Sequence, residues 1–318
     1  MKLSVVTTIF RTADCVEEFD RLAQEGAALL NCDLETIFVN DGSPDNGWEV
    51  ASALARRDPR VVAVGLARNV GQHRALLVGM EMATGDYVAI FDGDLEEDPR
   101  WVVQFYRSLC ENDCDVVYGV QKVSHRSLMY RIGRSIFYRL VNMLSSIALP
   151  ENVATARLMT RRYVDAVLGY EEREIFLAGL LYTVGFKQLG MPVIKARRSP
   201  SSYGPLKLLR LFINNITSFS IRPLLGIFLS GVVLSTIAVA FILALVLQWL
   251  VLGVGVPGWA SIMAIGLFSL AVTVLSNGVM AIYIATIFLE VKQRPRAIVR
   301  EIVRSQRDAC GAGNDKDV

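Results

Sequence analysis

Five carboxylates crowd into seven residues of the stretch DYVAIFDGDLEEDP (86–99): Asp92, Asp94, Glu96, Glu97 and Asp98. An apolar run from Tyr87 to Phe91 precedes them, so the acids begin where a strand ends. On an extended segment alternate side chains point the same way, which aligns Asp92, Asp94 and Glu96. Paired carboxylates at a strand end can hold a hard divalent cation, Mg²⁺ or Mn²⁺; Mg²⁺ usually keeps positions open for phosphate oxygens. A calcium loop does not fit, because its sixth position would be Glu97 instead of glycine and its twelfth Val103 instead of glutamate. Glu97 and Asp98 are expected to cap the helix that starts at Pro99.

The acidic stretch belongs to a regular alternation. Strand-like runs at 3–10, 35–41, 61–66, 87–92 and 115–120 are separated by helical segments at 15–30, after SPDN (43–46), and around 71–83 and 99–111. Ser43 or Asp45 can cap the second helix. Strands alternating with helices predict an α/β fold with right-handed crossovers and a mostly parallel sheet covered on both faces. Ligands of such sheets bind beyond the carboxyl ends of the strands. Asp41 and Asp92 both stand at strand carboxyl ends, so both are candidates to face one crevice.

Apolar residues make up 53% of the 318, and the excess is local. From Pro223 to Leu289, 67 residues, no Asp, Glu, Lys, Arg or His occurs. One bilayer crossing takes roughly 20 apolar residues, so two passes and a turn fit. QWLVLGVGVPGW (248–259) marks the turn with Gly, Pro and Trp, placing the helices near 224–247 and 260–288. Buried core helices are the alternative, but only 29 residues follow Leu289 to surround them. Arg222 precedes the first pass, Lys292, Arg294, Arg296, Arg300 and Arg304 follow the second, and the connecting loop has no basic residue. The positive-inside rule then predicts a multi-pass membrane protein with both termini in the cytosol. No signal peptide is expected, because MKLSVVTTIF turns polar early. The five cysteines make no metal spacing with the two histidines, so neither zinc nor a disulfide is expected. The net charge is +2, and no nucleic-acid partner is expected.

Two basic amphipathic stretches flank the uncharged region on its N-terminal side. In KVSHRSLMYRIGRSIFYRLVNML (122–144), Arg126, Arg131, Arg134 and Arg139 interleave with apolar residues; KLLRLFINNITSFSIRP (207–223) leads into the first pass. Such helices suit a membrane surface or an anion site. The tail GAGNDKDV reads as disordered.

Taken together, FVNDGSPDN (38–46), ARNVGQHRALLVGMEMATGDYVAIFDGDLEEDP (67–99) and KQRPRAIVREI (292–302) resemble the membrane-anchored family 2 glycosyltransferases. Within that family the likeness is to the dolichyl- and polyprenyl-phosphate hexose synthases, and it spans nearly the whole chain. It implies a GT-A domain with a two-helix membrane hairpin, and inverting transfer of a sugar from a nucleotide-sugar, with a UDP-sugar the expected donor. The acceptor would be polyprenyl (undecaprenyl) phosphate, and the product would serve cell-envelope glycan modification of the lipopolysaccharide type or protein glycosylation. By the same resemblance Asp41 contacts the base and ribose beside the backbone at Thr8. Asp92 holds the sugar or metal side, Asp94 the metal, and Glu96 replaces a common Gln as an oxygen ligand. Arg68 and His73 flank the RNVGQH turn, Arg68 as a donor contact and His73 with little to distinguish it from a structural histidine.

Arg131 and Ser135 lie one helical turn apart in RIGRS, a spacing similar to the family's acceptor-phosphate site, with Arg134 undecided. Arginine suits phosphate through its planar donor fork; contact with lipid headgroups is the alternative. Arg197 and Arg198 could clamp the donor diphosphate or face headgroups. Residues 1–120 then form the nucleotide-sugar half, 121–222 the acceptor half, 223–289 the hairpin and 290–318 a basic cytosolic tail. The small residues of LSGVVLSTIAVA leave the hairpin able to pack against copies of itself.

Four places depart from the pattern. FRTAD replaces an Asn-Glu after the first strand, Gln121 replaces an arginine, Thr155 stands where an acid is common, and Tyr203 lacks a preceding lysine. These changes leave no residue to name as a base. Two further readings are a processive polysaccharide synthase, whose Gln-x-x-Arg-Trp motif is absent, and a non-catalytic membrane scaffold, against which Asp41, Asp92 and Asp94 argue.

Overall fold

The computed structural model describes residues 1–121, 153–170, 177–196, 222–252 and 258–305. They fall into two units: 1–121, 153–170, 177–196 and 294–305 in the first, 222–252 and 258–293 in the second.

The first unit is built on one eight-stranded sheet. Its strands are β1 (Lys2–Ile9), β2 (Asp33–Asn40), β3 (Val61–Leu66), β4 (Tyr87–Phe91), β5 (Val116–Gln121), β6 (Val153–Thr160), β7 (Gln188–Val193) and β8 (Val299–Val303). Across the sheet the order is β7-β5-β6-β4-β1-β2-β3-β8. The centre, β4-β1-β2-β3, is parallel, whereas β6 runs antiparallel to both β4 and β5, and β8 antiparallel to β3. The central strands read VVTTI, TIFVN and VVAVGL, β-branched runs without polar alternation. Burial on both faces explains that pattern, because crossover helices cover each side of a parallel sheet.

One face carries α1 (Val16–Leu30), α2 (Gly47–Arg57) and α4 (Trp101–Asn112), the other α3 (Gln72–Met82), α5 (Arg161–Leu168) and α6 (Leu177–Thr183). The first layer is anchored by Phe19, Phe38, Phe91 and Phe105, whose rings meet edge-on or stacked at 5.7–6.5 Å. In the second, α3 presses so closely on the sheet that a methyl group on Gly79 would lie 2.3 Å from Val6 Cγ1. Only hydrogen fits there.

Residues 290–318, expected as a basic tail, contribute β8 to the sheet. VREIV carries the adjacent charges Arg300 and Glu301, both exposed, which suits an edge strand open to water. The second unit holds α7 (Arg222–Leu252) and α8 (Trp259–Val291), 31 and 33 residues long. At 1.5 Å per residue each measures roughly 45–50 Å, longer than a ~30 Å hydrocarbon core. Both are long and apolar enough to cross a membrane, with Phe228, Ile237, Phe268 and Ile284 among their exposed side chains.

Candidate active site

Three loops meet at the carboxyl end of the parallel strands. The first follows β2. Asp41 is buried, and its two carboxylate oxygens accept the backbone N–H groups of Val70 (2.7 Å) and Gly71 (3.0 Å). Asn69 Nδ2 donates to the Asp41 carbonyl at 2.9 Å. Gly42 has φ +63°, and a methyl there would come 2.7 Å from Asn69 N, so the NDG loop and the Arg68–Gly71 turn are closed against each other. Burial raises the Asp41 carboxyl above its usual range, partly offset by those two N–H bonds. Asp45 completes the loop, accepting from Ser43 Oγ (2.5 Å) and the Gly47 N–H (3.1 Å) at the start of α2.

The second loop is the acidic one. Gly93 brings it against the end of β1, where a methyl would stand 2.4 Å from the Thr8 carbonyl oxygen. Asp92 therefore sits beside Thr8, with its side chain about one-fifth exposed. Its Oδ1 accepts from Gln72 Nε2 at 2.5 Å, and its Oδ2 faces Lys195 Nζ at 3.3 Å. Asp94 Oδ1 accepts the Glu96 N–H at 2.9 Å. Burial, followed by repulsion from Asp92 and Glu96, pushes the Asp94 carboxyl up. Leu95 makes the bend between them with φ +60°.

Glu97 does not cap α4. It is fully buried: Oε1 accepts the Thr155 N–H (2.9 Å) and Lys195 Nζ (2.7 Å), and Oε2 accepts the Asp92 N–H (3.1 Å). Burial and then the Asp92 charge push its carboxyl up to about 7. Asp98 accepts the Arg100 N–H at 2.9 Å in the turn before α4, which begins at Trp101 with Arg100 as its N-cap and no side-chain cap bond. Of the crowded acids, Asp92 and Glu97 share Lys195, while Asp94 and Asp98 accept main-chain N–H groups. Repulsion is relieved by Gln72, Lys195, main-chain N–H groups and Arg100.

The third element is the extended segment 194–196 after β7, whose Ala196 N–H donates to the Glu96 carbonyl (2.9 Å). Beneath the site, buried Arg157 donates from Nε to the Thr155 carbonyl (3.2 Å) and from Nη2 to the Ala154 carbonyl (3.4 Å). That bracing fixes the strand end that presents Thr155 N–H to Glu97.

Thr8, Asp41, the Arg68 backbone, Asp92 and Asp94 are therefore gathered at one end of the sheet. Arg131, Arg134, Ser135, Arg197 and Arg198 lie outside the described residues, as do both basic amphipathic stretches up to Ile221. Two residues went unassigned in the sequence, Gln72 and Lys195, and Glu97, expected as a helix cap, is instead buried between Thr155, Lys195 and Asp92. Gln72 stands inside the RNVGQ motif, whereas Lys195 carries no local signal beyond a basic run.

A divalent cation suits this donor set. Asp92 and Asp94 are hard oxygen ligands that repel each other in a part-buried position, which a cation would relieve. Among the described residues no three His, Cys, Asp or Glu side chains converge into a cage. Asp92, Asp94 and Glu96 thus do not form a closed three-carboxylate site, and a metal there would take its remaining ligands from a bound phosphate and water.

The family model for Glycosyl transferase family 2 matches residues 4–168. Over 305 residues the chain is 37% identical to a putative glycosyltransferase of Mycobacterium tuberculosis, covering 96% of this chain and 89% of that protein. It is 32% identical over 307 residues to a prophage bactoprenol glucosyl transferase homolog of Escherichia coli, covering 95% and 99%. Among solved structures it is similar to mannosyl-3-phosphoglycerate synthase from Rubrobacter xylanophilus (TM-score 0.45, 12% identity, 67% of this chain and 71% of that one). With its family model spanning more than half of the chain, and its acidic pair at the end of a mixed α/β sheet of the GT-A kind, this protein belongs to glycosyltransferase family 2.

Proposed function

We propose that this enzyme transfers a sugar from a nucleotide-sugar to the phosphate of a polyprenyl phosphate, inverting the anomeric centre and leaving a lipid-linked monosaccharide. The observation that carries the reading is the Asp92–Gly93–Asp94 turn beside Thr8 and Asp41, in a chain similar almost end to end to bactoprenol glucosyl transferases. A UDP-sugar is the expected donor, and cell-envelope glycan modification the expected use.

In this reading Asp92 and Asp94, with Glu96 beside them, hold Mg²⁺ or Mn²⁺. When bound, the cation neutralises the departing diphosphate. The rest falls to the chain itself. The loop closed by Asp41 seats the nucleoside, and Gly93 lets the acids approach the end of β1. Gln72 and Lys195 hold Asp92 in one orientation. A phosphate oxygen is already ionised at neutral pH, so the attacking group needs no base. That agrees with Thr155 at a position where an acid is common, and with Glu97, whose oxygens are committed to Thr155, Lys195 and Asp92. Alignment of donor and acceptor is the larger task. Arg131, Ser135 and Arg134 are assigned to the acceptor phosphate, Arg197 and Arg198 to the donor diphosphate, and Arg68 to the donor. The bilayer presents the acceptor to a cytosolic catalytic unit held by α7 and α8.

Incubation of the purified chain with labelled nucleotide-sugars and undecaprenyl phosphate tests this directly. A chloroform-soluble monosaccharide product supports it, and its mass identifies the sugar. A polymer would establish a processive synthase instead, and no product with any donor would favour a scaffold.

A further inference from the structure

Lys195 is the one ammonium placed between two carboxylates of the acidic loop among the described residues, 2.7 Å from Glu97 Oε1 and 3.3 Å from Asp92 Oδ2. Its side chain is mostly enclosed, and the neighbouring Ala196 N–H is tied to the Glu96 carbonyl. Burial opposes its charge, but Glu97 and Asp92 more than offset that and strengthen it. Gln72 occupies the other oxygen of Asp92. A cation of the protein's own therefore stands on a carboxylate that a metal would use.

We propose that Lys195 is a resident counter-ion that competes with the divalent metal for Asp92, so that metal binds weakly to the empty enzyme and tightly only together with a nucleoside diphosphate. The inference rests on the metal-dependent reading above. Its physical basis is charge. Asp92 and Asp94 alone would attract a divalent ion strongly in a part-buried site, where Coulomb terms are several times larger than in water. Lys195 cancels part of that attraction. Glu97, buried and bonded to the same ammonium, holds Lys195 in place and shares its charge. A diphosphate brings two to three negative charges and new oxygen ligands, restoring the attraction that Lys195 removes. The expected consequence is metal arrival and departure with the nucleotide, so that the spent diphosphate is not trapped by a permanently held ion.

The test is Mn²⁺ binding to the full-length protein in detergent, followed by the loss of the free-ion electron paramagnetic resonance signal, with and without UDP, and with GDP in parallel. In wild type, the nucleotide should tighten Mn²⁺ binding by about tenfold or more. Lys195→Met should tighten Mn²⁺ binding in the absence of nucleotide by about tenfold and shrink the effect of UDP. Lys195→Arg, which keeps the charge, should retain the wild-type pattern, and Glu97→Gln should weaken Mn²⁺ binding to the empty enzyme. Circular dichroism confirms that each variant is folded. A folded Lys195→Met with unchanged Mn²⁺ affinity and unchanged nucleotide coupling overturns the counter-ion role while leaving the metal reading intact. A wild type that binds no Mn²⁺ with either nucleotide overturns both.

Discussion

Asp94 ends the acidic turn that Gly93 folds against Thr8, and two substitutions separate its charge from the geometry that aims it. Asp94→Asn keeps size and shape but removes the charge proposed to hold the metal. It should lower turnover by roughly 10²-fold or more, the scale on which charge-stabilising groups act in active sites. The assay is formation of lipid-linked sugar, and wild-type activity in the variant, or in excess chelator, would remove the metal role. Gly93→Ala should act through sterics, because its methyl meets the Thr8 carbonyl at 2.4 Å. A cost of about 1–3 kcal/mol is expected from overpacking, read as a lower midpoint in urea together with lost activity. Asp92, Asp94 and Asp41 were legible in the sequence because strand-end acids follow from local pattern. The burial of Glu97 and the placement of Lys195 were not, since Lys195 reaches Asp92 across 103 positions and no periodicity encodes that meeting.

Helices and strands at the centre of the sheet follow their sequence closely: VVAVGL forms β3 over Val61–Leu66, as its unbroken apolar run predicts. The antiparallel and edge strands were harder to read. β6 carries the buried Arg157 in its middle, β7 contains Pro192, and β8 has two adjacent charges, Arg300 and Glu301, among its five residues. Pro192 is tolerated because β7 is an edge strand among the described residues, paired there with β5 alone. What joins β1, β2 and the turn before β4 is Glu35, which accepts from Ser4 Oγ (2.6 Å) and the Thr84 N–H (2.9 Å) beside Lys2. Burial pushes the Glu35 carboxyl up, but Ser4, Thr84 and Lys2 more than offset it, so folding holds it below the ordinary 4.5. A carboxyl depressed by folding contributes stability that is complete above pH 4.5 and is lost as the pH falls through its folded-state value. Glu35→Gln should therefore cost about 1–2 kcal/mol at pH 7, and the gap to wild type should narrow below pH 4.5. Melting temperatures of the two proteins across pH 3–7 measure it, and a constant gap would show that the charge of Glu35 contributes nothing.

At the scale of the whole molecule the sequence separates two physical regimes, and each forms a unit of its own. The sheet unit buries its β-branched runs between helices, as any water-soluble α/β domain must. α7 and α8 leave their aliphatic side chains uncovered, Val251 and Val291 each at 75% exposure, which water would penalise at about 25 cal/mol per Å². A bilayer removes that cost. The 67-residue uncharged stretch marks these two helices in the sequence, as expected of segments that would lie in hydrocarbon, which excludes charge regardless of fold. How the two apolar helices would be oriented in a membrane depends on their flanks: Lys292, Arg294, Arg296, Arg300 and Arg304 follow α8, and the sequence between α7 and α8 carries no charge. Lys and Arg are retained on the cytoplasmic side. Alkaline phosphatase, which folds to an active form only outside the cytoplasm, reads this out. Fused after Gly255 between the helices it should be active, and fused after Arg304 inactive, with both fusions in the membrane fraction and released by detergent but not by high salt. The reverse pattern would place the catalytic unit on the side where nucleotide-sugars are absent. Salt-released fusions would mean that the apolar helices are covered by protein instead of lipid.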